Sequence, residues 1–424
     1  MSNRVLFPVA IFVATAIVVV ATIRDVRQTE AATAVVAPTL PAAMPGTSRA
    51  ELTSTISAMT ERLKHHPGDS VAIVSLSNAL IRLQRVNNDG RAVIAAEEHL
   101  RAFLKVKPDH YEARRMLAAV LLSQHRFGDA IAAANDAMAM DPRDAWNYGV
   151  AGDGYMELGD YDRAFEAFDR MGRLQPGPAA YARTAYALEI KGDLEGALDY
   201  MRKAADGTSP NDPESQAWHF TQIGDLLLQL ERLPLARLEY ERADATFPGH
   251  PMAVVGRARI AMRDGDLTAA RLLLQSQLAK TATPDLANAI GELSLAMGDD
   301  SGAAQYFQMA EQIERGAWGN GTRQPQVMAR LLMERAGREA EALALAEEAA
   351  RSRDDIFTLD TLAWAYYKNG RYAEAAAASA RATRTGTRDA RIRCHAAVIA
   401  AATQAGGLTS NAPASTRHCL EWHP

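Results

Sequence analysis

Cysteine is nearly absent. The 424 residues hold two, Cys394 and Cys419, 25 positions apart, which excludes a disulfide framework and a paired C-x-x-C zinc site and leaves the compartment unread. Aromatic residues are scarce at 6% although 48% of the chain is hydrophobic; with alanine so frequent, the composition fits closely packed helices rather than a sheet. A basic excess is also missing, with 46 Lys and Arg against 51 Asp and Glu and a net charge of -5. That balance gives no electrostatic footprint for a phosphate backbone, so no nucleic-acid partner is expected. The expected fold class is all-α.

Long apolar runs are confined to one place. Val5 to Ile23 is 19 residues without a charge, about 28 Å as a helix and close to the thickness of a bilayer core. Residues 1–24 are therefore expected to be an uncleaved transmembrane signal anchor. A cleaved signal peptide is the alternative, since Ala32-Thr33-Ala34 has the small residues of an A-x-A site. Against it, the run exceeds a usual h-region, and Arg24, Asp25 and Arg27 intervene. With Arg4 on one side and Arg24 and Arg27 on the other, the reading adopted is a single-pass membrane protein whose folded part is extracytoplasmic (periplasmic). Residues 25–48, with Pro38, Pro41, Pro45 and Gly46, have no helical or strand period and read as a linker.

What remains is organised by one unit. From Asp144 to Pro176, Tyr148, Ala151, Gly152 and Tyr155 share one helical face, and Ala164, Phe165, Phe168 and Met171 share another. A turn at Glu157–Asp160 joins the two helices, and neither can bury its stripe alone. Aligned on the small residue that opens the second helix, the chain repeats at Ala96, Ala130, Ala164, Ala197, Ala236, Ala270, Ala303, Ala342 and Ala375. The intervals are 34, 34, 33, 39, 34, 33, 39 and 33, the sign of a stacked α-solenoid. The two intervals of 39 carry extra loops at Asp206–Glu214 and Arg315–Gln324, where Gly and Pro gather. Pro142, Pro176 and Pro248 stop second helices, because the residue before proline avoids the α region. Residues 49–404 are thus expected to be the solenoid, with capping helices at Glu51–His66 and Thr387–Thr403, and 405–424 a flexible tail.

These units resemble tetratricopeptide repeats. The pattern is carried by Tyr148, Ala151, Gly152, Tyr155, Ala164, Phe168, Met171 and Pro176 in one unit, and by Phe220, Ile223, Gly224, Leu227, Ala236, Tyr240, Ala243 and Pro248 in another. The last unit carries Leu359, Leu362, Ala363, Tyr366, Ala375, Ser379 and Ala382, with Thr387 where proline would stand. The small residues Gly152 and Ala164 would lie where the two helices cross. The resemblance implies a superhelix whose first helices line a concave groove that binds a protein or peptide segment. Positions 2, 5, 9 and 12 of each unit share that side. They supply Trp146, Asp153, Tyr186, Trp218, Asp225, Arg259, Glu292, Asp360, Trp364 and Tyr367 as candidate groove residues. For Trp146 and Trp218 the competing reading is packing against a neighbouring unit.

Two family specialisations are missing. A subgroup that binds C-terminal carboxylates uses Lys and Asn at groove positions that hold Arg115, Ala119, Gly149 and Asp153 here. A membrane-anchored bacterial branch carries a zinc module with paired C-x-x-C motifs, also absent. No cofactor is expected, and no catalytic residue emerges. His65-His66 reads as a helix C-cap, and Gly316–Thr322 precedes no phosphate-cradling helix. Cys394, His395, His418, Cys419 and His423 match no zinc spacing, so no metal is assigned. The sequence points to a membrane-tethered, non-enzymatic interaction scaffold of the bacterial type, suited to assembly or maturation of an envelope complex. An exported soluble scaffold and a regulatory subunit of a partner enzyme are the alternatives.

Overall fold

Glycine followed by aspartate recurs where the first helix of a unit gives way to the second, and it explains much of the local structure. Gly159, Gly192, Gly265 and Gly298 all have φ between 73° and 82°, ending the first helix in the left-handed conformation. The next residue caps the second helix: Asp160, Asp193, Asp266 and Asp299 accept the backbone N–H of Arg163, Gly196, Ala269 and Gly302. Each such cap contributes about 0.5–2 kcal/mol.

A computed structural model of the chain describes residues 49–87, 90–319, 323–333, 335 and 337–404. The expected anchor, the linker, the tail and His418, Cys419 and His423 lie outside the described residues. Among these, all regular structure is helical: α1 (Arg49–His65), α2 (Ser70–Asn87), α3 (Gly90–Val106), α4 (Tyr111–Ser123), α5 (Phe127–Met140), α6 (Ala145–Leu158) and α7 (Tyr161–Leu174). There follow α8 (Pro178–Ile190), α9 (Leu194–Gly207), α10 (Pro213–Gln229), α11 (Leu233–Thr246), α12 (Pro251–Arg263), α13 (Leu267–Lys280) and α14 (Pro284–Ala296). The array ends with α15 (Asp300–Gly319), α16 (Pro325–Met333), α17 (Glu339–Ala350), α18 (Ile356–Lys368), α19 (Tyr372–Ala382) and α20 (Ala390–Gln404). No helix among the described residues is long and apolar enough to cross a membrane.

Helices α2 to α19 make nine pairs, with α1 and α20 at the two ends. All nine alignment alanines are no more than 1% exposed, because each sits where its pair crosses. A Cβ on Gly152 would fall 2.5 Å from the Phe168 ring, and one on Gly224 2.6 Å from Tyr240. The same pairing joins Gly291 to Phe307 at 2.5 Å, in a unit where it had not been read from the sequence. Second helices end before Pro142, Pro176 and Pro248, as expected.

First helices also touch the first helix of the next unit, as in α2 with α4, α4 with α6, α6 with α8, α10 with α12 and α16 with α18. They form the inner layer, and the second helices form the outer one.

The insertions differ from the expected loops. Residues 315–319 extend α15, because Arg315 pairs with Glu311 one turn back at 2.7 Å and Trp318 Nε1 donates to Glu314 at 2.8 Å. In the other insertion, α9 runs to Gly207 and α10 starts at Pro213, leaving a short connection. Its Asp212 reaches Arg82 of α2 at 3.2 Å.

Candidate partner-binding face

Along the inner layer, groove residues are tied to the neighbouring first helix. Arg183 of α8 grips Asp153 of α6 with both arms, Nε to Oδ1 at 2.9 Å and Nη2 to Oδ2 at 2.6 Å, each side chain about a quarter exposed. Burial pushes the Asp153 carboxyl up and the guanidinium opposes it. Two units on, Arg259 of α12 meets Asp225 of α10 at 3.1 Å, and the Tyr240 hydroxyl donates to the same carboxylate at 2.7 Å. Glu292 accepts from Asn288 at 2.6 Å. Asp153, Asp225 and Arg259 therefore join neighbouring units while keeping a solvent-facing edge, and the Glu292 bond stays within α14.

The aromatic candidates divide. Trp146 is 37% exposed, with the Arg115 guanidinium over its ring at 4.9 Å. Trp218 is half-buried, edge-on to His219 at 5.1 Å, and packs on the core of the fourth and fifth units. Tyr186 is half-buried, and burial, helped by nearby Glu157 and Glu189, raises its hydroxyl well above the usual range.

Asp360, Trp364 and Tyr367 sit elsewhere than an open groove: they are 2%, 2% and 8% exposed. Helix α20 lies over them. The Trp364 ring stacks on His395 at 4.0 Å and on Tyr367 at 4.8 Å, and His395 Nδ1 stands 3.0 Å from Asp360. The reason is positional. These residues occupy the same face as Asp153 and Asp225, but the capping helix takes the place that a following unit would fill, and its Ile392, His395 and Ile399 complete the core.

The tetratricopeptide repeat family profile matches residues 95–145, 150–213 and 221–287, the register of five successive helix pairs. The chain is a tetratricopeptide repeat protein. No curated protein matches it. Among solved structures, the APC/C hetero-tetramer Cut9-Hcn1 aligns with TM-score 0.51 and 13% identity over 82% of this chain and 59% of that one, so this chain spans less than two thirds of its length. A human IFIT1 dimer with PPP-AAAA aligns with TM-score 0.50 and 16% identity over 80% and 79%. PilW, a type IV pilus biogenesis factor, aligns over 48% of this chain and 92% of that one with TM-score 0.41 and 20% identity. At these identities the likeness is one of fold.

One feature of this tetratricopeptide repeat protein escaped the sequence reading. A carboxylate-rich stretch lies on the inner side: Glu157, Glu189 and Asp225, with Asp355 and Asp389 from the ninth unit and the connection after it. Burial first, then Asp225 and Asp389, push the Glu189 carboxyl up to about 7, although Gln229 donates to it at 2.7 Å. The signal that could have revealed Glu189 is its groove position, the twelfth of its unit. No group of three or more His, Cys, Asp or Glu among the described residues is arranged to hold a metal ion.

Proposed function

We propose that the repeat array is a non-catalytic scaffold that holds a segment of a partner protein against its inner layer of first helices. The observation that carries this reading is Trp146: a large aromatic at a groove position, more than a third exposed, backed by Arg115 and flanked along the same layer by the Asp153–Arg183 pair. An aromatic anchor beside half-buried charge is the arrangement that concentrates binding energy and specificity in interfaces. Trp146, Asp153, Tyr186, Trp218, Asp225, Arg259 and Glu292 form the face offered to the partner. Any catalysis would come from the partner.

Tethering by residues 1–24 and a periplasmic position of the array belong to the same proposal. They are supported by the uncharged apolar run Val5–Ile23. A tether would raise the encounter rate with partners on the same membrane, which fits assembly or maturation of an envelope complex. An exported soluble scaffold remains the alternative, distinguished by the N-terminal residue of the mature protein.

The test is site-specific photo-crosslinking from Trp146 and Trp218 in intact cells, set against the same probe at exposed Leu272 on the outer layer. One protein captured from the inner positions, and lost when Trp146→Ala is introduced beside the Trp218 probe, supports the reading. Capture from Leu272 with none from the inner face overturns it.

A further inference from the structure

The ninth unit does not simply end the array. Its leading edge comes back onto the third and fourth units, almost two hundred residues earlier. The backbone N–H of Asp354 donates to Leu158 O at 2.9 Å, that of Ile356 to the Tyr161 hydroxyl at 2.8 Å, and Arg384 Nη2 to Gly159 O at 3.1 Å. Arg353 bridges Glu157 and Asp355 at 2.9 Å each and lies over the Phe127 ring of the second unit. Behind these contacts Ile356, Leu359, Ala382 and Ile392 share one buried cluster with Tyr161, Phe168, Ala187 and Ile190.

The turn glycines show that this contact imposes its own demand. The left-handed position between first and second helices does not itself require glycine, since His125 and Glu231 occupy it with φ of 58° and 59°. At Gly265, Gly298, Gly337 and Gly370 an added Cβ would meet nothing within 4 Å. At Gly159 it would lie 2.2 Å from the backbone carbon of Asp354, and at Gly192 2.3 Å from the carbonyl oxygen of Gly386. Backbone atoms cannot rotate out of the way as a side chain can. Two of the turns are thus shaped for the end of the chain as well as for themselves.

We propose that the ninth unit is a clasp: by seating 353–356 and 384–388 on the turns at Gly159 and Gly192, it closes the inner layer between the third and ninth units and controls access to it. Asp355 and Asp389 are carried to the inner carboxylates on this clasp, and Tyr186 stands beside it. The clasp is independent of which partner the inner face receives, so it can fail without the scaffold reading failing, and the reverse.

The experiment uses the full chain carrying Tyr186→Cys as a reporter, labelled with a bulky maleimide polymer, together with the radius of gyration from X-ray scattering. Gly159→Asn with Gly192→Asn is compared with Gly265→Asn and Gly298→Asn, which make the same substitution at turns where an added Cβ meets nothing within 4 Å; asparagine tolerates the left-handed conformation. The expected result is an increased radius and labelling faster by about tenfold or more in the first pair only, with helix content retained. Unchanged size and labelling in the first pair would overturn the proposal. So would loss of helix content throughout, since the contact would then be part of one cooperative fold and not a separable clasp.

Discussion

The Tyr161 hydroxyl accepts the backbone N–H of Ile356, 195 residues further along, at 2.8 Å in a buried setting. It caps the first turn of α18 from another unit, where Asp355 already takes the N–H groups of Phe357 and Thr358. Tyr161→Phe keeps the ring and removes the acceptor. The orphaned buried amide should cost about 1–3 kcal/mol, and hydrogen exchange at Ile356 should quicken before that in α11 or α13. Equal exchange at Ile356 in variant and parent would show the bond to be dispensable.

The crossing points make a prediction of opposite signs within one unit. Gly152→Ala places a carbon 2.5 Å from Phe168, and Ala164→Leu enlarges a side chain that is 0% exposed. Each should lower stability by about 1–3 kcal/mol through overpacking. Gly172 in α7 has nothing within 4 Å of an added Cβ, so Gly172→Ala should raise stability by about 0.5–1 kcal/mol. Denaturant melts of the three variants check the order. A neutral Ala164→Leu would contradict the repeat register.

The local units were legible because their causes are local. Apolar spacing, a small residue at each crossing and the prolines that stop second helices lie within about 35 residues of one another, so a period exposes them. The closure was not legible. Arg353, Asp354 and Gly386 lie in connections, where no periodicity marks a face, and what they meet depends on the small rotation of each unit summed over six. The same summation separates the groove candidates: Asp153 and Trp364 hold equivalent positions, yet one faces a continuing groove and the other a terminal helix. A position number specifies a face, and its neighbours decide whether that face is open.

Glu189 gives the array a pH dependence near neutrality. Its carboxyl is raised from 4.5 to about 7 by burial, with Asp225 and Asp389 adding to the effect. Because the folded value lies above the unfolded one, the stabilising contribution is complete below about 4.5 and is lost as pH rises through about 7. Glu189→Gln keeps the size and the capacity to bond Gln229, and it cannot ionise. It should match the parent near pH 5 and exceed it by about 1–3 kcal/mol at pH 8. Thermal melts at the two pH values decide, and an equal difference at both would assign the effect to packing.

Trp364 separates a binding role from a structural one. Trp364 is 2% exposed and its ring stacks on Tyr367 and on His395, whose Nδ1 stands 3.0 Å from Asp360. Truncation to alanine opens a large cavity under α20 and should cost about 3–5 kcal/mol, with exchange quickening first in Ala390–Gln404. Trp146, 37% exposed, leaves no comparable void, so Trp146→Ala should stay within about 1 kcal/mol of the parent. Partner capture lost in Trp146→Ala at an unchanged melt would then report on the inner face itself. Capture lost only in Trp364→Ala, together with its melt, would report the undocking of the last helix. If Trp364→Ala melts with the parent, α20 does not seal this end of the array, and Asp360, Trp364 and Tyr367 return to the set of groove residues.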